Sequence, residues 1–371
     1  MKRATDILFL ILVCALIFGI GGAIFVLPSS AFSQRENRPL AQFPALRLPA
    51  ILDGSFFRSL SLFYTDQLPL RETLGEIYSI SEIALGKRES NRVLLRGGTL
   101  LSRVEGDGEI YKYNLDAIGS FLEHKEGALF FCPPETAEVY SHLLSRSERG
   151  LLDAIPPQPN EISEKYLRVV RQMGSEELYF HTDHHWSAKG AFEAYKLLCE
   201  ALGEQAYGEE YFYESVASES FLGSAYRRSS YPKSILSYDR MILYRYNGDD
   251  KFTVTTAGST TAQQGFYRFE ELGTSDEYRV FLGGNCAHAS VTLEGATERK
   301  RMLLIKDSFA NSLLPFLALH YDIEMIDPRY ADPSLIRELA ESQSFDATLI
   351  LASKSTLLSE RSFGKLLNAI D

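Results

Sequence analysis

The hydrophobic pattern changes character twice along the chain. Residues 7–27, ILFLILVCALIFGIGGAIFVL, run for 21 positions without a charge, behind Lys2 and Arg3. A helix crossing a bilayer core takes about 20 apolar residues, whereas the apolar stretch of a secretion signal is roughly 7–15. The run therefore predicts a signal anchor over residues 1–30, with its basic tip in the cytoplasm. The alternative is a cleaved signal peptide ending near residues 29–31; either way the body is exported. Prolines at 28, 39, 44 and 49 then predict an extended stalk over residues 31–90. Helical periodicity over 56–85, broken near Pro69, adds short helices to it.

From residue 91 the pattern is that of an α/β domain reaching residue 371. Residues 92–102 read as a hairpin around Gly97 and Gly98. A helix follows with apolar positions at 115, 118, 121 and 122, then a buried strand at 128–131, ended by two prolines. Residues 159–173 predict a helix, 177–180 a short strand and 188–202 another helix. Tyr, Ser, Gly and β-branched residues dominate 210–300, which reads as a β-rich insertion. Strand and helix then alternate: 302–305, 309–321, 323–326, 334–342, 347–352 and 355–370. Such alternation predicts βαβ units and a mainly parallel sheet.

Composition narrows the partners. The formal net charge is −11 and no basic run occurs, which argues against nucleic acid, whose phosphates need a basic patch. Of four cysteines, Cys14 lies in the apolar run, and Cys132, Cys199 and Cys286 have no paired spacing; they read as small buried residues rather than a disulfide scaffold or a metal site.

Two polar clusters fall where this pattern expects strand ends, the place where open α/β sheets bind ligands. The first is residues 181–186, HTDHHW, with three of the chain's seven histidines and its single tryptophan. The second is residues 306–311, KDSFAN. Ser308 sits at a strand-to-helix turn, where helix N-terminal N–H groups favour a developing oxyanion; a serine there is equally a good helix N-cap. Asp183 and His185, two residues apart, suit a carboxylate orienting the imidazole that activates a serine. A polar loop is the bland alternative. A zinc site is the other, but the spacing fits no zinc motif, so no metal is predicted.

The run TDHHWSAKGA resembles the signature of the DHHW protein family, and so do LLIKDSFANSLLPFL, DPRY, FLGSAY at 221–226 and GGN at 283–285. That family is in turn similar to the SGNH-hydrolase-like acetyltransferases that modify alginate. The resemblance implies an SGNH-hydrolase-like three-layer sandwich, circularly permuted because the order is Asp–His–Ser. It implies Asp183 as orienter, His185 as general base and Ser308 as nucleophile of a serine-dependent O-acyltransferase, O-acetyl above all, acting on an extracytoplasmic glycan or cell-wall polymer. A carbohydrate esterase with the same triad, or a non-catalytic glycan-binding assembly protein, are the competing readings. No cofactor is implied. The expected partners are the polysaccharide and a membrane-bound acyltransferase as acyl donor, with the chain held in the cell membrane by a single pass and its body extracytoplasmic. Asn285 is a candidate oxyanion donor, Arg329 a candidate substrate ligand, and Trp186 either a sugar platform or a packing residue. The sequence departs from the family's glycine at Lys306, which would crowd the oxyanion site or bind an anionic polymer.

Overall fold

The computed structural model describes residues 2–33, 35–36, 38–257, 262–332, 334, 339 and 344–369. Two compact units emerge, Met1–Asn91 with Arg227–Ile235, and Arg92–Tyr226 with Leu236–Asp371.

In the first unit one helix, Lys2–Val26, covers the apolar run. Several of its side chains lie outside the described residues. Among the described residues no helix is long and apolar enough to cross a membrane. Helices Ser55–Asp66 and Arg71–Ala84 flank the predicted break at Pro69. The proline-rich segment is tied down: the Arg38 guanidinium grips Asp66 with bonds of 2.9 and 2.7 Å, and the Ala41 N–H donates to the same carboxylate.

The second unit is built on a seven-stranded sheet. Its strands are β1 (Ala128–Phe131), β2 (Phe252–Thr256), β3 (Gln263–Gln264), β4 (His288–Leu293), β5 (Lys300–Lys306), β6 (Tyr321–Ile326) and β7 (Ala347–Leu351), in the order β3-β2-β4-β6-β5-β7-β1. β6, β5, β7 and β1 run parallel. β4, β2 and β3 pair antiparallel along the other edge. All three of these edge strands, β2, β3 and β4, come from the segment read as an insertion, which extends the sheet rather than standing apart from it. The remaining strands of that segment, Tyr213–Phe221 and Asp239–Arg245, pair with each other.

The apolar run of β5 is explained by its position, since a central parallel strand is covered on both faces. Met302 and Leu304 point into one core with Trp186, Phe192, Leu198 and Leu313. Leu303 and Ile305 point into the other, with Ala117, Ile118, Phe121 and Phe363. Helices Glu161–Met173, Ala188–Leu202 and Ala310–Leu317 carry apolar faces into the first core, and Gly108–His124 and Ser362–Leu367 into the second. Helix, sheet and helix make three layers.

Two expectations change. Residues 177–180 are not a strand: Ser175–Leu178 is one helical turn, followed by a single bridge between Tyr179 and Trp186. Leu178, Tyr179 and Phe180 are all buried, so the run has no alternating face to lay on a sheet. The last helix is two, Lys354–Ser359 and Ser362–Leu367, with Glu360 extended between them. The helix expected at 334–342 lies almost wholly outside the described residues.

Candidate active site

Ser308 lies just past β5, and β5 is held in register on both sides by β6 and β7. The neighbouring Asp307 secures the turn. Its N–H donates to Leu351 O, one carboxylate oxygen accepts from the Phe309 N–H, and the other from the Ser353 N–H and the Thr356 hydroxyl. The helix that follows is capped at Phe309, with no side-chain cap, so Ser308 is not the N-cap that its position allowed. Its hydroxyl faces His185 instead.

The histidine loop is short and closed. The Tyr179–Trp186 bridge shuts it, the Phe180 N–H donates to His185 O, and the Leu100 N–H of the 93–102 hairpin donates to His181 O. Asp239 clamps its start, accepting bonds from His181 N and Nδ1 at one oxygen (2.7 and 2.9 Å) and from Thr182 N and Oγ1 at the other (2.8 and 2.6 Å). The bond to Asp239 raises the His181 pKa against the effect of burial. A hydrogen bond to a charged group is worth about 1.5–3 kcal/mol, so this clamp is a substantial local restraint.

Within that loop Asp183 is fully buried. One of its oxygens accepts from the His185 N–H at 2.8 Å and lies 2.5 Å from His185 Nδ1; the other accepts from the Ser224 N–H at 2.6 Å. A proton on Nδ1 is fixed by that carboxylate, which leaves the Nε2 lone pair free to accept. Nε2 lies 2.8 Å from Ser308 Oγ. Asp183, His185 and Ser308 thus form one hydrogen-bonded row, with Asp183 and His185 buried and Ser308 partly open. Tyr278 stacks flat on the imidazole and Phe309 meets it edge-on.

The other predicted residues separate. Trp186 is 0% exposed; its Nε1 donates to Ser312 Oγ (2.8 Å) and Phe309 O (3.1 Å). It is packing that braces the Ser308 helix against the histidine loop, not a sugar platform. Lys306 is also 0% exposed, so it cannot reach an anionic polymer. Its Nζ donates to Asn311 Oδ1 (2.7 Å) and Asn285 Oδ1 (3.2 Å), with Asp327 at 3.7 Å. Burial pushes its pKa down while Asp327 pulls the other way. Arg329 places its fork on Asp327, with bonds of 2.8 and 2.6 Å, as a structural pair. Asn285 is exposed in a turn whose two preceding glycines have φ of +77° and +107°, a region that only glycine enters readily.

Two residues at the site carry no local sequence signal. Tyr278 is 93 positions from His185, inside a stretch without periodicity, and Asp239 is 58 from His181. Gly223 is the third surprise. A Cβ there would collide with the Asp183 side chain, so FLGSAY holds a glycine because the carboxylate sits against its backbone.

Asp183, His184 and His185 offer ligand atoms within 4.8 Å of one another, the one such grouping among the described residues. Both nitrogens of His185 are engaged in the row, and His184 Nδ1 lies 2.5 Å from Ser224 Oγ. A cation there would have to take over these hydrogen bonds.

The resemblance to the DHHW protein family holds: the family's model matches residues 160–326. The chain is similar to the crystal structure of a DHHW family protein from Eubacterium siraeum, at 20% identity and TM-score 0.56, covering 74% of this chain and 95% of that one. It is similar to Bacillus cereus PatB1, solved with a sulfonyl adduct, at 18% identity and TM-score 0.55, covering 73% and 98%. These likenesses establish a shared fold. No curated protein matches the chain.

Proposed function

We propose that the chain is a serine-dependent O-acyltransferase, acetyl being the favoured acyl group, acting on hydroxyls of an extracytoplasmic glycan. The row Asp183–His185–Ser308 carries this reading. In the first half-reaction His185 Nε2 takes the Ser308 Oγ proton as Oγ bonds to the acyl carbon of an ester donor. The donor's C–O bond breaks and its oxygen leaves with the proton from His185. In the second half a glycan hydroxyl repeats these steps in reverse sense, and Ser308 Oγ recovers its proton. The Ser308 N–H and the Asn285 amide are the proposed donors to the oxyanion. Removing one such donor costs about 10²–10³ in rate elsewhere.

The uncharged 21-residue run supports a membrane anchor, since about 1.5 Å of rise per residue gives roughly 30 Å, the thickness of a bilayer core. We place the body outside the cytoplasm on this ground, with a membrane-bound acyltransferase as donor. Protease protection in spheroplasts tests it: cleavage of the body from outside supports the placement, and full protection contradicts it.

The activity is tested with p-nitrophenyl acetate. Ser308→Ala and His185→Ala should each abolish nitrophenol release, and unchanged rates would sink the reading. Activity that survives a chelator wash excludes a metal role for the histidines. Adding glycan hydroxyl acceptors and following acetyl transfer against hydrolysis separates a transferase from an esterase.

A further inference from the structure

Lys306 is a cation with no exposure, two residues before the nucleophile, in a place the triad does not use. Its surroundings are ordered by its chemistry. An ammonium carries donors and no acceptor, so the amide atoms that face it must be oxygens. Asn311 Oδ1 and Asn285 Oδ1 both face it. That choice fixes both amides. The Asn311 NH2 then turns to Asn285 Oδ1 at 3.2 Å, so this one oxygen accepts from two donors. The Asn285 NH2 is left as the group in the cluster with no partner among the described residues, on an exposed turn beside the segment that bears Ser308. Asp327, held by the Arg329 fork, lies 3.7 Å from the ammonium.

We infer that Lys306 is a positioning residue. By fixing which way the Asn285 amide faces, directly and through Asn311, it presents the Asn285 NH2 as a donor to the oxyanion formed at Ser308. The inference rests on the serine reading above. Without the ammonium nothing decides between the two faces of the Asn285 amide, and an oxygen turned to the reacting carbonyl would repel the charge it should stabilise. A lysine at the position where the resembling motif has glycine is thereby part of the site through Asn285, without touching substrate.

The test is a double-mutant cycle on the full chain in detergent, with p-nitrophenyl acetate. Asn285→Ala should lower kcat about 10²-fold with KM little changed, the loss of one oxyanion donor. Lys306→Met should lose a comparable amount, again in kcat. The double variant should be no slower than Asn285→Ala within about 3-fold, because Lys306 acts through Asn285. Losses that multiply, or a Lys306→Met enzyme within about 3-fold of wild type, overturn the inference. A melting curve shows whether Lys306→Met is folded. If it is not, Asn285→Asp decides: it keeps an acceptor for Lys306 but removes the donor, and should lose as much as Asn285→Ala, whereas a wild-type rate overturns the inference. Ser308→Ala separates the two levels. An active Ser308→Ala enzyme defeats the serine reading itself; an inactive one, with Lys306→Met unaffected, defeats the Lys306 role alone.

Discussion

Tyr278 lies flat on His185, with ring centroids 3.9 Å apart and planes 4° from parallel. The tyrosine hydroxyl lies 3.2 Å from Ser312 Oγ, which also accepts from Trp186 Nε1. The ring that keeps the imidazole in plane is therefore braced by the helix that follows Ser308. An aromatic pair of this kind is worth about 0.5–1.5 kcal/mol beyond its buried area. Tyr278→Phe keeps the stack and should leave kcat/KM within about 2-fold, while Tyr278→Ala should lose about 2- to 10-fold or more. Equal rates for both would show that the stack does not orient the base.

Gly223→Ala should act on Asp183. The new methyl collides with the carboxylate, and the Ser224 N–H that holds its second oxygen lies on the next residue. A misplacement of about 1 Å at such a site costs about 10²-fold in kcat. The expected result is that loss with KM little changed; an unaltered kcat would show that the orienter tolerates displacement.

Asp183, His185 and Ser308 were legible as candidates in residues 181–186 and 306–311, because a D-x-H pair and a serine at a strand-to-helix turn are local patterns, but the roles assigned to them came from the resemblance to the DHHW family. The helix Ala188–Leu202 was equally legible, with Ser187 at its N-cap and Gly203 just past its end. What surrounds the triad was not. Tyr278 and Asp239 reach it from segments whose sequence shows no period, and only tertiary packing brings them there. The strand expected at 177–180 failed because an apolar run of three residues fits a buried loop as well as a strand. For Trp186 the sequence left a sugar platform and packing open, and for Lys306 a crowded oxyanion site and an anionic polymer; the fold buries both side chains, and burial is a property of neighbours that a single position does not announce.

The His181–Asp239 pair predicts a pH dependence of stability. Asp239 raises the His181 pKa in the folded chain, so the folded state binds the proton more tightly than the unfolded one. The pair's contribution is then full below the unfolded value of about 6.5 and fades as pH rises through the raised folded value. Asp239→Asn should destabilise the chain at every pH, since the backbone and threonine bonds weaken too, and the gap to wild type in chemical denaturation should be larger at pH 6 than at pH 9. A gap independent of pH would show that His181 titrates as it does in the unfolded chain.

The 2.8 Å contact between His185 Nε2 and Ser308 Oγ is the centre of this account. Its most direct test is to quench the full chain with acid during turnover of p-nitrophenyl acetate and map the acetylated peptide by mass spectrometry. A single acetyl group on Ser308, absent from Ser308→Ala and strongly reduced in His185→Ala, is the predicted result. Turnover with no acetyl group on Ser308, or with the label on another residue, would contradict it.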